Sequence, residues 1–543
     1  MEKSLHISFD CLIIKKDFYR KAIEVVEAKM PVFLIVILSL VSVIFYVYYL
    51  QNKLGLSYND ARSHLNIGRR VVEGLKPGLA QLGSVWLPMT HFLMIPTIWI
   101  DFMWHSGLSG AIQSMVSFVA TGYLIYLFLK NLRVGMFERL FGVLIFVANT
   151  NVLYLQSTAM TELLLLATMT LGVYFLIHWV NDENIFNLVK SAFFIMVSTL
   201  IRYDGWFLFF SAILVVSFYA WQKIGIQKAK GMIVFFCTLG GWGIFAWLIW
   251  NLLIFKDPFY FMFGPFSAHA QQLQLESAGE LPTKGNLFYS LEAYFYSVIY
   301  NSYTYTTILG ILGGLVLFFD KRIKPYVRLA FSTLFAPFAF NVLALYLGHS
   351  VLFLPEVIGK TWFNVRYGVM FLPSIAIFSA YLVGRLKNLR WTLIGVFFIV
   401  IFFAFVNNDA VTIDDAVYGA SQKNVTEVSS WLRENTKDKP GFILISAASH
   451  DAIIFSSGLP MKKFIHEGTG AYWDYAIENP DKWARWIVMR TYDLNDMTYK
   501  EIRDAQGLKN YDLVDHYPFA DIYQLKDEYI DGVITTPILG KLK

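Results

Sequence analysis

The chain has 543 residues, of which 56% are hydrophobic and only 16% are charged. Soluble domains usually carry about 25% charged residues, so this composition excludes an ordinary soluble globular protein. The net charge of +5 is modest. Its basic residues are spread through short loops instead of covering one soluble face, which argues against nucleic-acid binding.

Apolar segments recur from residue 31 to residue 408. A membrane-spanning helix needs about 20 mostly apolar residues, and fewer where other helices shield it. We therefore predict a polytopic α-helical membrane protein with about eleven transmembrane helices plus interfacial helices. The predicted spans are 31–50, 108–129, 138–155, 162–180, 187–201, 204–221, 231–254, 304–319, 326–347, 367–386 and 391–408.

The segment 86–104 is apolar enough to span, but it contains Pro88, Pro96 and Asp101. Cytoplasmic loops carry an excess of Lys and Arg. If this segment does not cross the membrane, every basic loop falls on one side; if it crosses, all but the first move outside. We therefore place 86–104 as an interfacial or re-entrant helix on the outer face. The basic loops are 15–21, 130–139, 222–230, 320–328 and 385–390.

This topology divides an integral protein of the cell membrane into three parts. Residues 1–30 form a cytoplasmic N-terminal segment, and residues 31–408 form the transmembrane domain. Residues 409–543 alternate short apolar stretches with helix-like segments, which predicts a small extracytoplasmic α/β domain at the C-terminus. The outer loops are 51–107, 255–303 and 348–366.

Ionisable residues collect in the first outer loop. Asp60 and His64 are four residues apart, so a helix starting near Asn59 places them on one face; Arg69 lies further along the same segment. Beside the apolar segment 86–104, a carboxylate there would be partly desolvated and therefore a better base. The alternative is a solvated amphipathic helix on the membrane surface.

Two further groups lie at the outer ends of predicted spans. Glu162, preceded by Thr161, is either a functional acid or a residue that favours the helix N-terminus. Arg202 and Asp204 interrupt two apolar runs, and charge at membrane depth is expensive and indicates function by default. The alternative is an ion pair that satisfies a tight turn hinged at Gly205.

Arg366 and Tyr367 stand at the head of a late span. A guanidinium group binds phosphate through two parallel hydrogen bonds, so this pair is a candidate phosphate ligand. The alternative is snorkelling of both side chains at the interface. Outward acids for proton abstraction and outward cations for an anionic head group suit an enzyme that takes a lipid-phosphate donor from the outer leaflet.

The order of these motifs resembles the GT-C superfamily of polyprenyl-phosphate-sugar-dependent glycosyltransferases, in particular the branch of the protein O-mannosyltransferases and the aminoarabinose transferase of lipid A. Asp60 in SYNDARSH matches the loop acid of the family, and WLPMTHFLMIP (86–96) matches its Pro-marked interfacial helix. The later matches are Thr161–Glu162, Arg202–Tyr203–Asp204 and Arg366–Tyr367. The chain departs from the family in its single loop acid and lone Pro88. It also lacks the WWDYG motif, which argues against transfer of a preassembled glycan.

The resemblance implies a GT-C-like fold and an inverting transfer of a monosaccharide, mannose or similar, from a polyprenyl-phosphate donor. The acceptor would be a hydroxyl group of a glycan, lipid or protein on the extracytoplasmic side. The implied roles are general base for Asp60, donor-phosphate binding for Arg202, Arg366 and Tyr367, and substrate orientation for His64, Arg69, Glu162 and Asp204.

No cofactor is assigned. Metal dependence stays open, because His64 with Asp60 supplies far fewer ligands than a closed metal site needs. The alternative function is a transporter or flippase for a lipid-linked substrate. It is less favoured because the charges gather at the outer ends of the spans and not along a path through the bilayer.

Overall fold

The computed structural model describes residues 6–265, 267–420 and 424–538, with side chains from residue 27 onward except those of 271 and 274. Its α-helices are α1 (His6–Gln51), α2 (Asn59–Val72), α3 (Met89–Ile98), α4 (Asp101–His105), α5 (Leu108–Asn131), α6 (Met136–Val147), α7 (Thr150–Leu155), α8 (Glu162–Asp182), α9 (Ile185–Thr199), α10 (Asp204–Lys223), α11 (Ile226–Phe255), α12 (Tyr260–Phe263), α13 (Ala268–Ser277), α14 (Leu287–Ser302), α15 (Thr304–Phe319), α16 (Pro325–Phe331), α17 (Ala336–Tyr346), α18 (Leu372–Val383), α19 (Leu389–Val406), α20 (Val411–Tyr418), α21 (Thr426–Thr436), α22 (Ala447–Ser457), α23 (Ala471–Glu478), α24 (Pro480–Trp483) and α25 (Met497–Ile502).

Seven strands and seven 3-10 helices complete the secondary structure of the described residues. The strands are β1 (Phe353–Leu354), β2 (Ile358–Phe363), β3 (Ile443–Ile445), β4 (Phe464–Ile465), β5 (Trp486–Met489), β6 (Tyr511–His516) and β7 (Asp521–Leu525). The 3-10 helices are Leu79–Leu82, Ser332–Phe335, Val365–Phe371, Met461–Lys463, Glu467–Thr469, Gln506–Asn510 and Asp527–Gly532.

The polytopic helical fold is confirmed, with fewer full-length spans than the sequence predicts. Within the described ranges, eight helices are long and apolar enough to cross a membrane. A ninth span results if α14 and α15, bent by 112°, are counted as one broken helix. The eight are Glu27–Gln51, Leu108–Asn131, Glu162–Asp182, Asp204–Lys223, Ile226–Phe255, Pro325–Tyr346, Val365–Val383 and Leu389–Tyr418.

Two of the predicted spans are shorter than a full-length membrane helix. Residues 138–155 are divided between α6, with 12 residues, and α7, with 6. Asn149 causes the break, because its side chain accepts a hydrogen bond from the Val152 backbone nitrogen and so starts a new helix. Residues 187–201 form α9, which has only 15 residues. A helix of that length reaches about 22 Å, against about 30 Å for a hydrocarbon core.

The N-terminal segment is continuous with the first span. A single helix, α1, runs from His6 to Gln51, so the predicted division at residue 30 does not correspond to a break in the helix. Residues 1–5 of the predicted segment lie outside the described residues.

The segment 86–104 forms two short helices, in agreement with the prediction that it does not cross. α3 has 10 residues and α4 has 5, so α3 extends for only about 15 Å. The basic loops also meet at one end of the helix bundle, which requires that no additional crossing separates them. The ion pairs that join these loops and their flanks are Arg139–Glu27 at 3.2 Å, Arg390–Glu138 at 2.7 Å and Arg385–Asp320 at 3.1 Å.

The C-terminal residues form the predicted α/β domain. Its five-stranded sheet has the order β4-β3-β5-β7-β6, with β4 and β5 parallel to β3 and the last two pairings antiparallel. Every residue of β3 and β5 is buried, as expected for strands covered on both faces. α20 lies apart from this sheet. It contacts the transmembrane domain, where the Thr412 backbone nitrogen donates to Asn151 Oδ1 at 3.0 Å.

The topology can be tested with single cysteines at the exposed positions Lys76 and Lys130, in a protein whose Cys11 and Cys237 are replaced by serine. If 86–104 does not cross, α5 alone separates the two positions. A membrane-impermeant maleimide should then label Lys76→Cys from one face of sealed vesicles and Lys130→Cys from the other. Labelling of both from the same face would contradict the topology.

Candidate active site

Arg366 lies at the centre of a buried cluster of charged side chains. Its Nη2 donates to Asp60 Oδ2 at 2.7 Å, and its Nε donates to Glu162 Oε1 at 3.1 Å. Its Nη1 donates to Asp415 Oδ2 at 3.4 Å. The residue is only 3% exposed. A buried charge is stable only when it is paired and hydrogen-bonded, so the three carboxylates explain how an arginine is accommodated here.

The backbone around Arg366 is fixed by α14. Ser297 Oγ and Asn301 Nδ2 donate to the Val365 carbonyl at 2.9 and 2.6 Å. Gly368 allows this close approach, since a Cβ at that position would lie 2.2 Å from the Ser297 carbonyl oxygen. The 3-10 helix Val365–Phe371 is therefore held against α14 at the point where Arg366 projects.

Arg202 extends the same cluster. Its Nη1 lies 3.3 Å from Glu162 Oε1, and its Nε lies 3.3 Å from Asp204 Oδ2. The guanidinium also packs over the ring of Tyr367, 4.7 Å from the ring centroid. Glu162 thus bridges both arginines. The alternative that Thr161 caps the helix is not supported, because the Thr161 side chain makes no capping hydrogen bond.

The structure therefore joins the sequence motifs that were predicted to act together. Asp60, Glu162, Arg202, Asp204, Arg366 and Tyr367 form one connected group. With Asp415, the cluster holds four carboxylates and two guanidinium groups. The side chain of Asp60 is 36% exposed, whereas those of Glu162, Asp204 and Asp415 are at most 1% exposed. Asp60 is therefore the carboxylate of this cluster that a substrate can reach.

Sequence reasoning missed Asp415 and Tyr58. The Tyr58 hydroxyl donates to the Thr412 carbonyl at 2.8 Å and to Asp415 Oδ2 at 3.1 Å. Burial raises the pKa of Tyr58 well above its usual value, so this hydroxyl stays protonated and remains a donor. The available signal was the acidic pair at 414–415, directly after the last span.

Two buried carboxylate oxygens of the cluster have no hydrogen-bond partner among the described residues. They are Glu162 Oε2 and Asp415 Oδ1. Buried carboxylate oxygens are normally satisfied by a protein group or by an ordered water. Each can accept a hydrogen bond from an ordered water.

His64 lies beside this cluster, whereas Arg69 does not belong to it. His64 Nδ1 lies 2.9 Å from His91 Nε2 on α3, and its ring packs against Trp86. Arg69 instead donates to Asp101 Oδ1 at 2.6 Å and to the Ile98 carbonyl at 2.8 Å. Arg69 therefore ties α2 to the segment 86–104, and its contacts give no support to a role in orienting substrate.

The cluster does not form a metal site by geometry. Among the residues that the structure describes, no group of three or more His, Cys, Asp or Glu side chains is arranged to hold a metal ion.

No family model matches this sequence, and no curated protein matches it. Solved structures do match. The crystal structure of ArnT from Cupriavidus metallidurans bound to undecaprenyl phosphate aligns with 90% of this chain and 98% of its own, with a TM-score of 0.51 and 11% identity.

The chain has the fold of ArnT. The apo form of the same protein gives a TM-score of 0.50 at 12% identity over the same shares of the two chains. An oligosaccharyltransferase from Archaeoglobus fulgidus, in complex with Zn and sulfate, gives a TM-score of 0.48 at 11% identity, covering 88% of this chain and 71% of its own. The two ArnT alignments confirm the predicted fold over most of this chain.

Burial of His64 predicts how the free energy of unfolding depends on pH. Burial lowers the pKa of His64 to about 3, and the positive charges of Arg366 and Arg202 act in the same direction. Because the unfolded chain binds this proton near pH 6.5, the free energy of unfolding falls as pH decreases from about 6.5 towards 3. The loss is up to about 1.4 kcal/mol per pH unit for this one group.

In His64→Gln, the slope of the free energy of unfolding against pH should be smaller between pH 6 and pH 4, by the amount that corresponds to about one bound proton. The measurement is denaturant unfolding in detergent at several pH values. An unchanged slope in His64→Gln would show that His64 is not held neutral by burial.

Proposed function

We propose that the protein is a membrane glycosyltransferase that transfers a monosaccharide, mannose or similar, from a polyprenyl-phosphate donor to an acceptor hydroxyl. The observation that carries this proposal is an exposed carboxylate, Asp60, held by a guanidinium group within a cluster that contains a second arginine. This arrangement combines a base and cations for a phosphate at one site. Support for the carrier lipid comes from ArnT, which shares the fold and was crystallised with undecaprenyl phosphate.

In the proposed reaction, Asp60 accepts the proton of the acceptor hydroxyl as the hydroxyl oxygen attacks the anomeric carbon. The bond between that carbon and the phosphate oxygen breaks, and polyprenyl phosphate leaves with the electron pair. Attack from the face opposite the leaving group inverts the configuration. General base catalysis of this kind typically contributes about 10²–10⁴-fold to the rate.

The arginines differ in how much of their hydrogen-bonding capacity the protein uses. All three guanidinium nitrogens of Arg366 donate to carboxylates. Arg202 uses Nε and Nη1 within the cluster, which leaves Nη2 for the donor phosphate. We therefore assign Arg202 to direct phosphate binding. Arg366 fixes the position of the Asp60 carboxylate through a 2.7 Å hydrogen bond and stabilises the charge that grows on the leaving phosphate.

The remaining residues orient this pair. The Tyr367 ring lies against both guanidinium groups, 4.7 Å from Arg202 and 5.3 Å from Arg366. Glu162 and Asp204 fix the two guanidinium planes from the buried side. His64 is four residues from Asp60 on α2 and presents a neutral imidazole next to the site. We infer that the site faces the extracytoplasmic side, because the basic loops gather at the opposite end of the bundle and cytoplasmic loops carry an excess of Lys and Arg.

Asp60→Asn should insert and bind undecaprenyl phosphate like the wild type, yet lose transfer by at least about 10²-fold, because an amide cannot take up the proton. The assay is transfer of labelled sugar from polyprenyl-phosphate mannose and related donors to an acceptor pool of membrane extract. Asp101→Asn is the matched control, since Asp101 is an outer-loop carboxylate that pairs with Arg69 outside the cluster.

Wild-type turnover in Asp60→Asn would remove Asp60 from the role of base. Movement of labelled donor across proteoliposomes by the wild type, with no covalent transfer, would instead identify a transporter and contradict the proposed function.

A further inference from the structure

α2, which carries Asp60, is held on another of its faces by the C-terminal domain. Asp60 and His64 share one face because they are four residues apart. Asn66 follows Asp60 by six residues, which rotates it by about 240°, and Arg70 shares the Asn66 face. The two faces therefore contact different partners. One meets the arginine cluster, and the other meets α22 of the C-terminal domain.

Asp451 on α22 makes the contacts at this second face. Asn66 Nδ2 donates to both the backbone carbonyl and Oδ1 of Asp451, each at 2.9 Å. Arg70 Nη1 donates to the same Oδ1 at 2.8 Å. All three residues are buried. An ion pair in such surroundings is sensitive to the loss of either partner, because the remaining charge stays buried without compensation.

The contact continues into the core of the C-terminal domain. His450, the residue before Asp451, departs from helical backbone angles, and its Nε2 lies 2.5 Å from Asp496 Oδ2. Asp496 also accepts hydrogen bonds from the backbone nitrogens of Arg490 and Tyr499 at 2.8 and 3.1 Å. The side chains of His450 and Asp496 are fully buried. The position of Asp451 is thus set by the loop after β5 and the start of α25.

Asn66 also connects this contact to the segment 86–104. Its Oδ1 accepts a hydrogen bond from Trp104 Nε1 at 3.3 Å, and the Trp104 ring packs edge-on against Phe455 of α22. Asn66 therefore has partners on α4 and on α22, and α2 can neither rotate nor slide without breaking buried hydrogen bonds.

We propose that the C-terminal domain is a positioning domain for the candidate base: Asp451, through Asn66 and Arg70, sets the rotation of α2 and so the place of Asp60 against Arg366. The proposal rests on the function proposed above for Asp60. It gives the domain a part in catalysis without contact to substrate. A misplacement of about 1 Å at a catalytic group can cost on the order of 10²-fold in rate.

The test compares Asp451→Leu with the wild type in the full-length protein, in lipid nanodiscs. Leucine has a similar size and no hydrogen-bond acceptor, so Asn66 and Arg70 lose their partner. Hydrogen–deuterium exchange should become faster in residues 59–72 while β3 and β5 keep wild-type protection. With polyprenyl-phosphate sugar as the probe, kcat should fall by about 10²-fold, while KM for the donor should change less than about two-fold.

Two further variants complete the experiment. Asp504→Leu replaces an exposed carboxylate of the same domain and should leave both exchange and kcat unchanged. Asn66→Leu breaks the same contact from the α2 side and leaves the C-terminal domain intact, so it should reproduce the kcat loss. In the double variant Asn66→Leu with Asp451→Leu the two losses of activity should be less than additive, because either substitution alone already removes the contact between Asn66 and Asp451.

Wild-type exchange in residues 59–72 of Asp451→Leu, or wild-type kcat in Asn66→Leu, would overturn the positioning role while leaving the role of Asp60 intact. If Asp451→Leu also speeds exchange in β3 and β5, the whole C-terminal domain has been loosened. The value of kcat in Asn66→Leu then decides whether the contact positions Asp60. Failure of the role proposed for Asp60 would be recognised separately, as wild-type turnover in Asp60→Asn.

Discussion

The bonds from Arg366 to three carboxylates are the interaction on which the rest of the site depends. Asp60, Glu162 and Asp415 come from α2, the head of α8 and α20, which are far apart in the chain. One guanidinium group joins them because its three nitrogens lie in a single rigid plane and each can donate. A lysine could not replace it, since an ammonium group is a single point charge without this fixed geometry. Charge that is costly at membrane depth is thus concentrated in one cluster whose members pair with one another.

The helix that carries Asp60 is constrained from two sides. The arginine cluster contacts it near its start, and Asp451 of the C-terminal domain contacts it two turns later. The segment 86–104 packs along it through His91 and Trp104. A short, polar helix next to a membrane has little stability of its own, so these tertiary contacts decide where Asp60 lies. The C-terminal domain and the segment 86–104 are therefore parts of the site as much as the arginines are.

The sequence predicted which end of the bundle holds the site, because the bias of Lys and Arg towards one side is a local property of each loop. It also predicted the shared face of Asp60 and His64, which follows from helix geometry alone. It did not predict Asp415 or Tyr58, since their contacts join residues separated by 49 and 357 positions and leave no periodic pattern. The contact between Arg69 and Asp101 was not predicted for a similar reason, because the two residues are 32 positions apart. The sequence did not predict that the span 138–155 is divided into two helices, because apolar composition does not reveal a break such as the one at Asn149.

The proposed arrangement of base and phosphate ligand is tested most directly by a cryo-electron microscopy structure of the protein in nanodiscs with undecaprenyl phosphate. The phosphate should lie within hydrogen-bonding distance of Arg202 Nη2, on the same side of the cluster as the exposed carboxylate of Asp60. A phosphate bound at the basic end of the bundle, or one separated from Asp60 by the hydrocarbon core, would contradict it.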